Sequence, residues 1–125
     1  MRLSTRVHGT FDLGIGVLLI VLPWFLGFGG STAAWTAALV GVAVAANALL
    51  TDFELGRIRR IAIPVHLWID GLLGVFLAVS PWLLQFDRTA WVPHVLVGVA
   101  LAAAALLSET VPAYDRRRSL SAAAE

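Results

Sequence analysis

The sequence predicts an all-α fold: a transmembrane four-helix bundle made of two tandem two-helix repeats. Three observations carry that prediction. First, the chain repeats itself. Residues 7–28 reappear at 65–86 with 11 identities in 22 positions, and residues 39–50 reappear at 96–107 with 10 in 12. Such a repeat is read before anything else, because it fixes the architecture. Second, 59% of the 125 residues are hydrophobic and only 14% charged, against roughly half and a quarter in soluble domains. A chain this short has the poorest ratio of core to surface, so the solvent expected for the excess is lipid. Third, the apolar residues collect in four runs of nearly the length, roughly 20 residues, that crosses a hydrocarbon core.

The first unit covers residues 1–58 and holds runs at about 7–28 and 32–51. In lipid the backbone must satisfy its own hydrogen bonds, so these runs should be helices. They are apolar on every face, unlike the alternating strands of a membrane barrel. Gly27, Gly29 and Gly30 break the chain after the first run, and Ser31 or Thr32 can cap the second helix. The second unit covers 59–110, with runs at about 61–84 and 91–108; the last is the shortest. Pro64 and Pro93 fall in the first turns of these runs, where a missing N–H costs least. Pro112 follows the end of the fourth run. Residues 111–125 form a basic tail around Arg116, Arg117 and Arg118, suited to anionic lipid, and its end from Ser119 onward is expected to be disordered.

All nine basic residues are arginines, and their distribution sets an orientation. Arg2 and Arg6 precede the first run, Arg57, Arg59 and Arg60 lie between the second and third, and Arg116, Arg117 and Arg118 follow the fourth. The opposite side has Arg88 alone. The positive-inside rule then puts both termini in the cytoplasm. Arg2 and Arg6 before an apolar run also resemble a cleavable signal peptide, but the matching third run is internal. Each unit holds two spans, so the units enter with the same polarity, related by an axis along the membrane normal. Arginine without lysine, with abundant Ala, Gly and Val, fits a GC-rich prokaryotic coding bias. A net charge of +1 gives no indication of nucleic acid, and zero cysteines exclude disulfides and thiol chemistry.

Pro23-Trp24 recurs as Pro81-Trp82, near the outer end of the first span of each unit. Proline kinks a helix and tryptophan favours the membrane interface. Trp35 and Trp91 open the partner spans at the same level, whereas Trp68 sits at the inner end. Anchoring is the favoured reading over a ligand site. Ser80-Pro81-Trp82, in a unit reading His66-Leu-Trp-Ile-Asp70-Gly-Leu-Leu-Gly74, resembles the SPW-repeat membrane proteins of bacteria and archaea. The resemblance runs from Val7 to Glu109 and implies repeats of two transmembrane helices with Ser-Pro-Trp in the first. It implies no activity. The first unit departs from the motif, with Leu22 in place of the serine.

His8/Asp12 and His66/Asp70 repeat a His-x-x-x-Asp spacing that puts both side chains on one helical face. The acids lie about 6–8 Å deeper than the histidines, from a rise of 1.5 Å per residue. A carboxylate at that depth should face the bundle interior and have a partner. Asn47 lies at similar depth on span two, with Ala104 as its counterpart. The functional reading is a four-group polar site: a proton relay, a cation site or a ligand pocket, the donor set being one that suits a divalent metal. The structural reading has the pairs tying helix ends to a neighbour or to the arginine loops, with Asp12 near Arg6 or Arg57 and Asp70 near Arg60. Gly41, Ala45 and Ala48 recur as Gly98, Ala102 and Ala105, a smooth stripe for close helix approach, with its partner left open. His94 has no counterpart and is expected to be solvated.

No phosphate loop, Ser-His-Asp order or HExxH is present. The sequence therefore predicts a non-enzymatic, structural or accessory component of the cell membrane, with no cofactor and no resident metal. Its partners are the lipid bilayer and, as candidates, a second copy or another membrane protein. A small ion, proton or small-molecule transporter using the His–Asp pairs is the alternative. A redox or quinone-binding subunit is weaker.

Overall fold

The computed structural model describes residues 2–124 and is built of helices: α1 (Thr5–Phe25), α2 (Thr32–Leu50), α3 (Ile63–Leu83), α4 (Trp91–Leu107) and α5 (Ala113–Ala123). Among the described residues the only extended pairings are two isolated bridges. The first three helices are long and apolar enough to cross a membrane. The fourth, at 17 residues, is shorter and equally apolar. Large hydrophobics line the outside: Phe25 is 85% exposed and Leu106 87%. A surface of that kind belongs in lipid, and the chain is a membrane protein.

Local chemistry sets the helix ends. Ser4 and Ser31 cap α1 and α2, their hydroxyls accepting from the Val7 and Ala34 amides. Pro64 lies in the first turn of α3. At the C-terminal ends of α1 and α3, Phe28 N donates to Pro23 O at 3.0 Å and Phe86 N to Pro81 O at 2.8 Å. This is the closure in which a left-handed residue follows the helix. Gly27 takes that conformation at φ 81°, and its counterpart Gln85 takes it at φ 60° without glycine's freedom.

The helices form a ring in which α1 packs chiefly on α2 and α3 on α4, while α2 meets α3 and α4 meets α1 more lightly. The small-residue stripe answers to this arrangement: each stripe meets the first helix of its own unit. A Cβ on Gly41 would stand 2.6 Å from Gly16 O, and one on Gly98 would stand 2.5 Å from Ala78 N. Only glycine permits those approaches, which substitute for the hydrophobic effect that lipid cannot supply between helices. Ala45 and Ala102 lie against Gly16 and Gly74. Ala48 and Ala105 are buried.

The connections tie the two halves together in a matched way. Leu3 bridges to Ser108, and Ile61 bridges to Thr51. Leu3 and Ile61 occupy equivalent positions, as do Ser108 and Thr51, so the start of each unit pairs with the end of the other. Leu19, Val44, Leu77 and Leu101 form one apolar core layer.

The tail corrects the expectation of disorder. Residues 113–123 form α5, with Pro112 before the first turn and Asp115 within it, where a carboxylate favours the helix dipole. Tyr114 Oη donates to Asp52 Oδ1 at 2.9 Å, and Arg116 pairs with Glu109. Glu125 lies outside the described residues.

Candidate functional site

Four side chains meet on the bundle axis between the diagonal helices α1 and α3. His8 Nε2 lies 3.1 Å from Asp12 Oδ2 and 3.2 Å from Asp70 Oδ2. His66 Nε2 lies 3.1 Å from Asp12 Oδ2 and 3.0 Å from Asp70 Oδ2. Two nitrogens and two oxygens therefore alternate around a ring, and the two imidazoles meet edge to face at 5.3 Å. Both aspartates are fully buried and both histidines nearly so. The helical spacing of four brings each pair onto one face, and the diagonal packing of α1 and α3 closes the pairs onto each other.

The far side of each ring nitrogen is also occupied. Thr51 Oγ1 donates to Asn47 O at 2.6 Å and faces His66 Nδ1 at 2.9 Å. Ser108 Oγ donates to Ala104 O at 2.6 Å and faces His8 Nδ1 at 2.7 Å. A hydroxyl has one proton. Having given it to a carbonyl, each can only accept from Nδ1–H. The hydroxyls thus fix both imidazoles as Nδ1–H and turn both Nε2 atoms toward the carboxylates. Thr51 and Ser108 escaped the sequence reading. Their signal was there: each stands one helical turn beyond Asn47 or Ala104, at equivalent ends of α2 and α4.

Asn47 supplies the asymmetry. Its amide donates to Asp70 Oδ1 at 2.8 Å and to His66 O at 3.2 Å. Ala104 cannot do the same for the other half. Asp12 Oδ1 is accordingly buried with no hydrogen-bond partner, an unusual state for a carboxylate oxygen. The arginine pairings expected for Asp12 and Asp70 are not what holds them: the histidines do, and Arg59 instead stands 3.9 Å from Asp52.

On the side of the chain termini, Phe53 covers the ring, its phenyl 5.8 Å from the His66 imidazole, over Gly9, which leaves no room for a Cβ. Beside it is a cavity of about 10 Å³ reached by Thr5, His8, His66, Ser108 and Glu109, about the size of one water.

At the other end, His94 is 1% exposed rather than solvated. Its Nδ1 lies 2.8 Å from Ala90 O and its Nε2 3.0 Å from Ala33 O. Phe28 and Phe86 flank it at 6.2 Å and 4.7 Å. Ala33 and Ala90 are equivalent positions, as are Phe28 and Phe86, so His94 sits where the two halves meet.

The Pro-Trp motifs lie near this end. Pro81 has no N–H for Leu77 O, and Ser80 Oγ donates to that carbonyl instead, at 2.8 Å. Leu22 has no hydroxyl to offer before Pro23. The tryptophans pair across each helical hairpin, Trp24 on Trp35 at 6.2 Å and Trp82 on Trp91 at 6.3 Å. All four are about half exposed, as membrane-interface anchors are.

A family model described as SPW repeat domain matches residues 6–108. No curated protein and no solved structure matches.

Proposed function

The chain belongs to the SPW repeat family, and from that premise we propose a multi-pass protein of a prokaryotic cytoplasmic membrane whose work is structural or accessory. In this reading the His–Asp ring is a clamp that locks two tandem two-helix units into one bundle. The carrying observation is that the ring's bonds run between units: His8 to Asp70 and His66 to Asp12. Breaking a buried charged pair costs about 3–5 kcal/mol, whereas helix packing in lipid lacks a strong hydrophobic drive. The clamp is therefore a large share of what joins the halves.

The arginine distribution supports cytoplasmic termini. A non-enzymatic role fits groups that are engaged with one another and covered by Phe53. The apolar layer of Leu19, Val44, Leu77 and Leu101 between the ring and His94 favours a clamp over a conduit. The surface partner is lipid, with a second copy or another membrane protein as the assembly partner.

The test replaces Asp12 and Asp70 together with Asn. Thermal unfolding in detergent should drop by 10 °C or more, on the order of the 3–5 kcal/mol of a broken buried pair. Unchanged stability, with ion or proton uptake into vesicles that the double variant abolishes, would replace the clamp with the transport reading.

A further inference from the structure

We propose that His8, Asp12, His66 and Asp70 bind a divalent first-row transition-metal ion, each residue giving one ligand atom. The inference deepens the clamp reading and uses the same residues. Four arguments carry it.

The first is geometric. The four ligand atoms all lie within 4.8 Å of one another, and neighbours around the ring are separated by 3.0–3.2 Å. Edges of that length put a central ion about 1.9 Å from each atom in a tetrahedral arrangement and about 2.2 Å in a square one, bracketing the roughly 2.0–2.2 Å bonds that zinc makes to imidazole nitrogen and carboxylate oxygen. The atoms already surround a site of the right radius.

The second is the orientation of the imidazoles. A metal-bound histidine typically presents one nitrogen to the ion and donates its other N–H to a protein oxygen. Ser108 and Thr51 provide that oxygen for His8 and His66. With one proton of each ring held at Nδ1, a metal that displaces the Nε2 protons meets two nitrogen lone pairs and two carboxylate oxygens. A positive centre satisfies all four at once.

The third is charge. The metal-free ring balances two carboxylates with a proton on each Nε2, and a divalent ion that displaces those two protons leaves the net charge unchanged. Nitrogen and oxygen donors without sulfur favour zinc, iron or manganese over copper(I). The fourth is Asp12 Oδ1, fully buried, unpartnered, and on the very carboxylate that enters the ring. It is free to turn a single bond into a chelating pair, whereas Asp70 Oδ1 is held by Asn47.

The experiment titrates the purified full-length protein, stripped with chelator, with Co²⁺ at pH 7.5, reading visible absorption, and then displaces it with Zn²⁺. One equivalent per chain should bind with a four- or five-coordinate cobalt spectrum, and Zn²⁺ should raise the unfolding midpoint. D12N/D70N should lose the spectrum. Since that variant can lose its fold as well, Thr51→Val and Ser108→Ala provide a second arm. Each leaves the ligands in place and should weaken binding about 10–100-fold, the usual effect of removing a ligand's hydrogen-bond partner. No cobalt binding up to millimolar concentration overturns the proposal, as does binding that neither T51V nor S108A changes. If D12N/D70N is destabilised while the wild type ignores Co²⁺, the metal fails and the clamp stands.

Discussion

Moving the asparagine from one half to the other tests whether the ring's asymmetry has been understood. Asn47 donates to the Asp70 carboxylate at 2.8 Å and to His66 O at 3.2 Å. A hydrogen bond to a charged group contributes about 1.5–3 kcal/mol, but bonds between membrane helices average about 0.6 kcal/mol and reach about 1.7. Asn47→Ala also strands Asp70 Oδ1, so a loss of about 2 kcal/mol is expected. Ala104 occupies the equivalent backbone position, its carbonyl accepting from Ser108 as Asn47 O accepts from Thr51. An asparagine there is aimed at Asp12 Oδ1, which has no partner. Ala104→Asn should gain up to about 0.7 kcal/mol, after roughly 1 kcal/mol of side-chain ordering is subtracted from a new bond of at most about 1.7 kcal/mol. The exchanged variant N47A/A104N should fall between the two single variants. The assay is reversible unfolding in mixed micelles. A loss above about 1 kcal/mol for A104N, the overpacking range, would refute the idea that Asp12 lacks a donor. So would a cost below about 0.5 kcal/mol for N47A, the size of an ordinary surface change.

Ser80→Ala should cost about 1 kcal/mol by freeing Leu77 O, and Leu22→Ser should gain a similar amount, both within the range for hydroxyl bonds in membrane helices; equal and opposite midpoint shifts in the same unfolding assay would establish the serine as a stand-in for the proline N–H. Gly98→Ala puts a methyl 2.5 Å from Ala78 N and 2.6 Å from Gly74 O. Both neighbours are backbone, so the cost should reach about 3 kcal/mol, the upper overpacking range, while Gly14→Ala, where a Cβ meets nothing within 4 Å, should be tolerated. Burial and the bond to Asp52 raise the Tyr114 phenol above its ordinary value. A raised pKa means that the Tyr114 contribution is fully present below about pH 10, the unfolded value, and is lost as pH rises through the folded one. Limited proteolysis of α5 should therefore accelerate only in strong alkali, and Tyr114→Phe should show the accelerated rate already at neutral pH.

The fold was legible because lipid leaves few choices. Apolar length, arginine placement and an internal repeat each constrain the same object, and the observed helices begin and end within a few residues of the expected spans. The four ring residues were legible for a related reason: a carboxylate in the membrane must point inward, and the four-residue spacing supplies its nearest partner. What could not be read was anything that depends on how the two halves face each other. The partners expected for Asp12 and Asp70 were Arg6 or Arg57 and Arg60, at the helix ends and in the loop, whereas the diagonal packing of α1 and α3 delivers the histidine of the other unit. Thr51 and Ser108 looked like helix ends, because a hydroxyl on a helix end gives no sign of the ring it will meet.

His94 shows most clearly why a repeat misleads when it is read position by position. Its lack of a counterpart suggested a residue without a task. Yet it lies where the two halves meet, and one ring there meets the need of both. His94 satisfies the requirement once, reaching the equivalent carbonyls of Ala33 and Ala90 from a single ring. The same reasoning separates it from the Asn47–Ala104 difference. The asparagine serves one half alone, and its absence from the second half leaves Asp12 Oδ1 unpartnered. That asymmetry falls on the carboxylate whose second oxygen is open to the proposed metal. Ala104→Asn is therefore expected to strengthen the metal-free bundle while weakening Co²⁺ binding, and a variant that improved both would break the link between them.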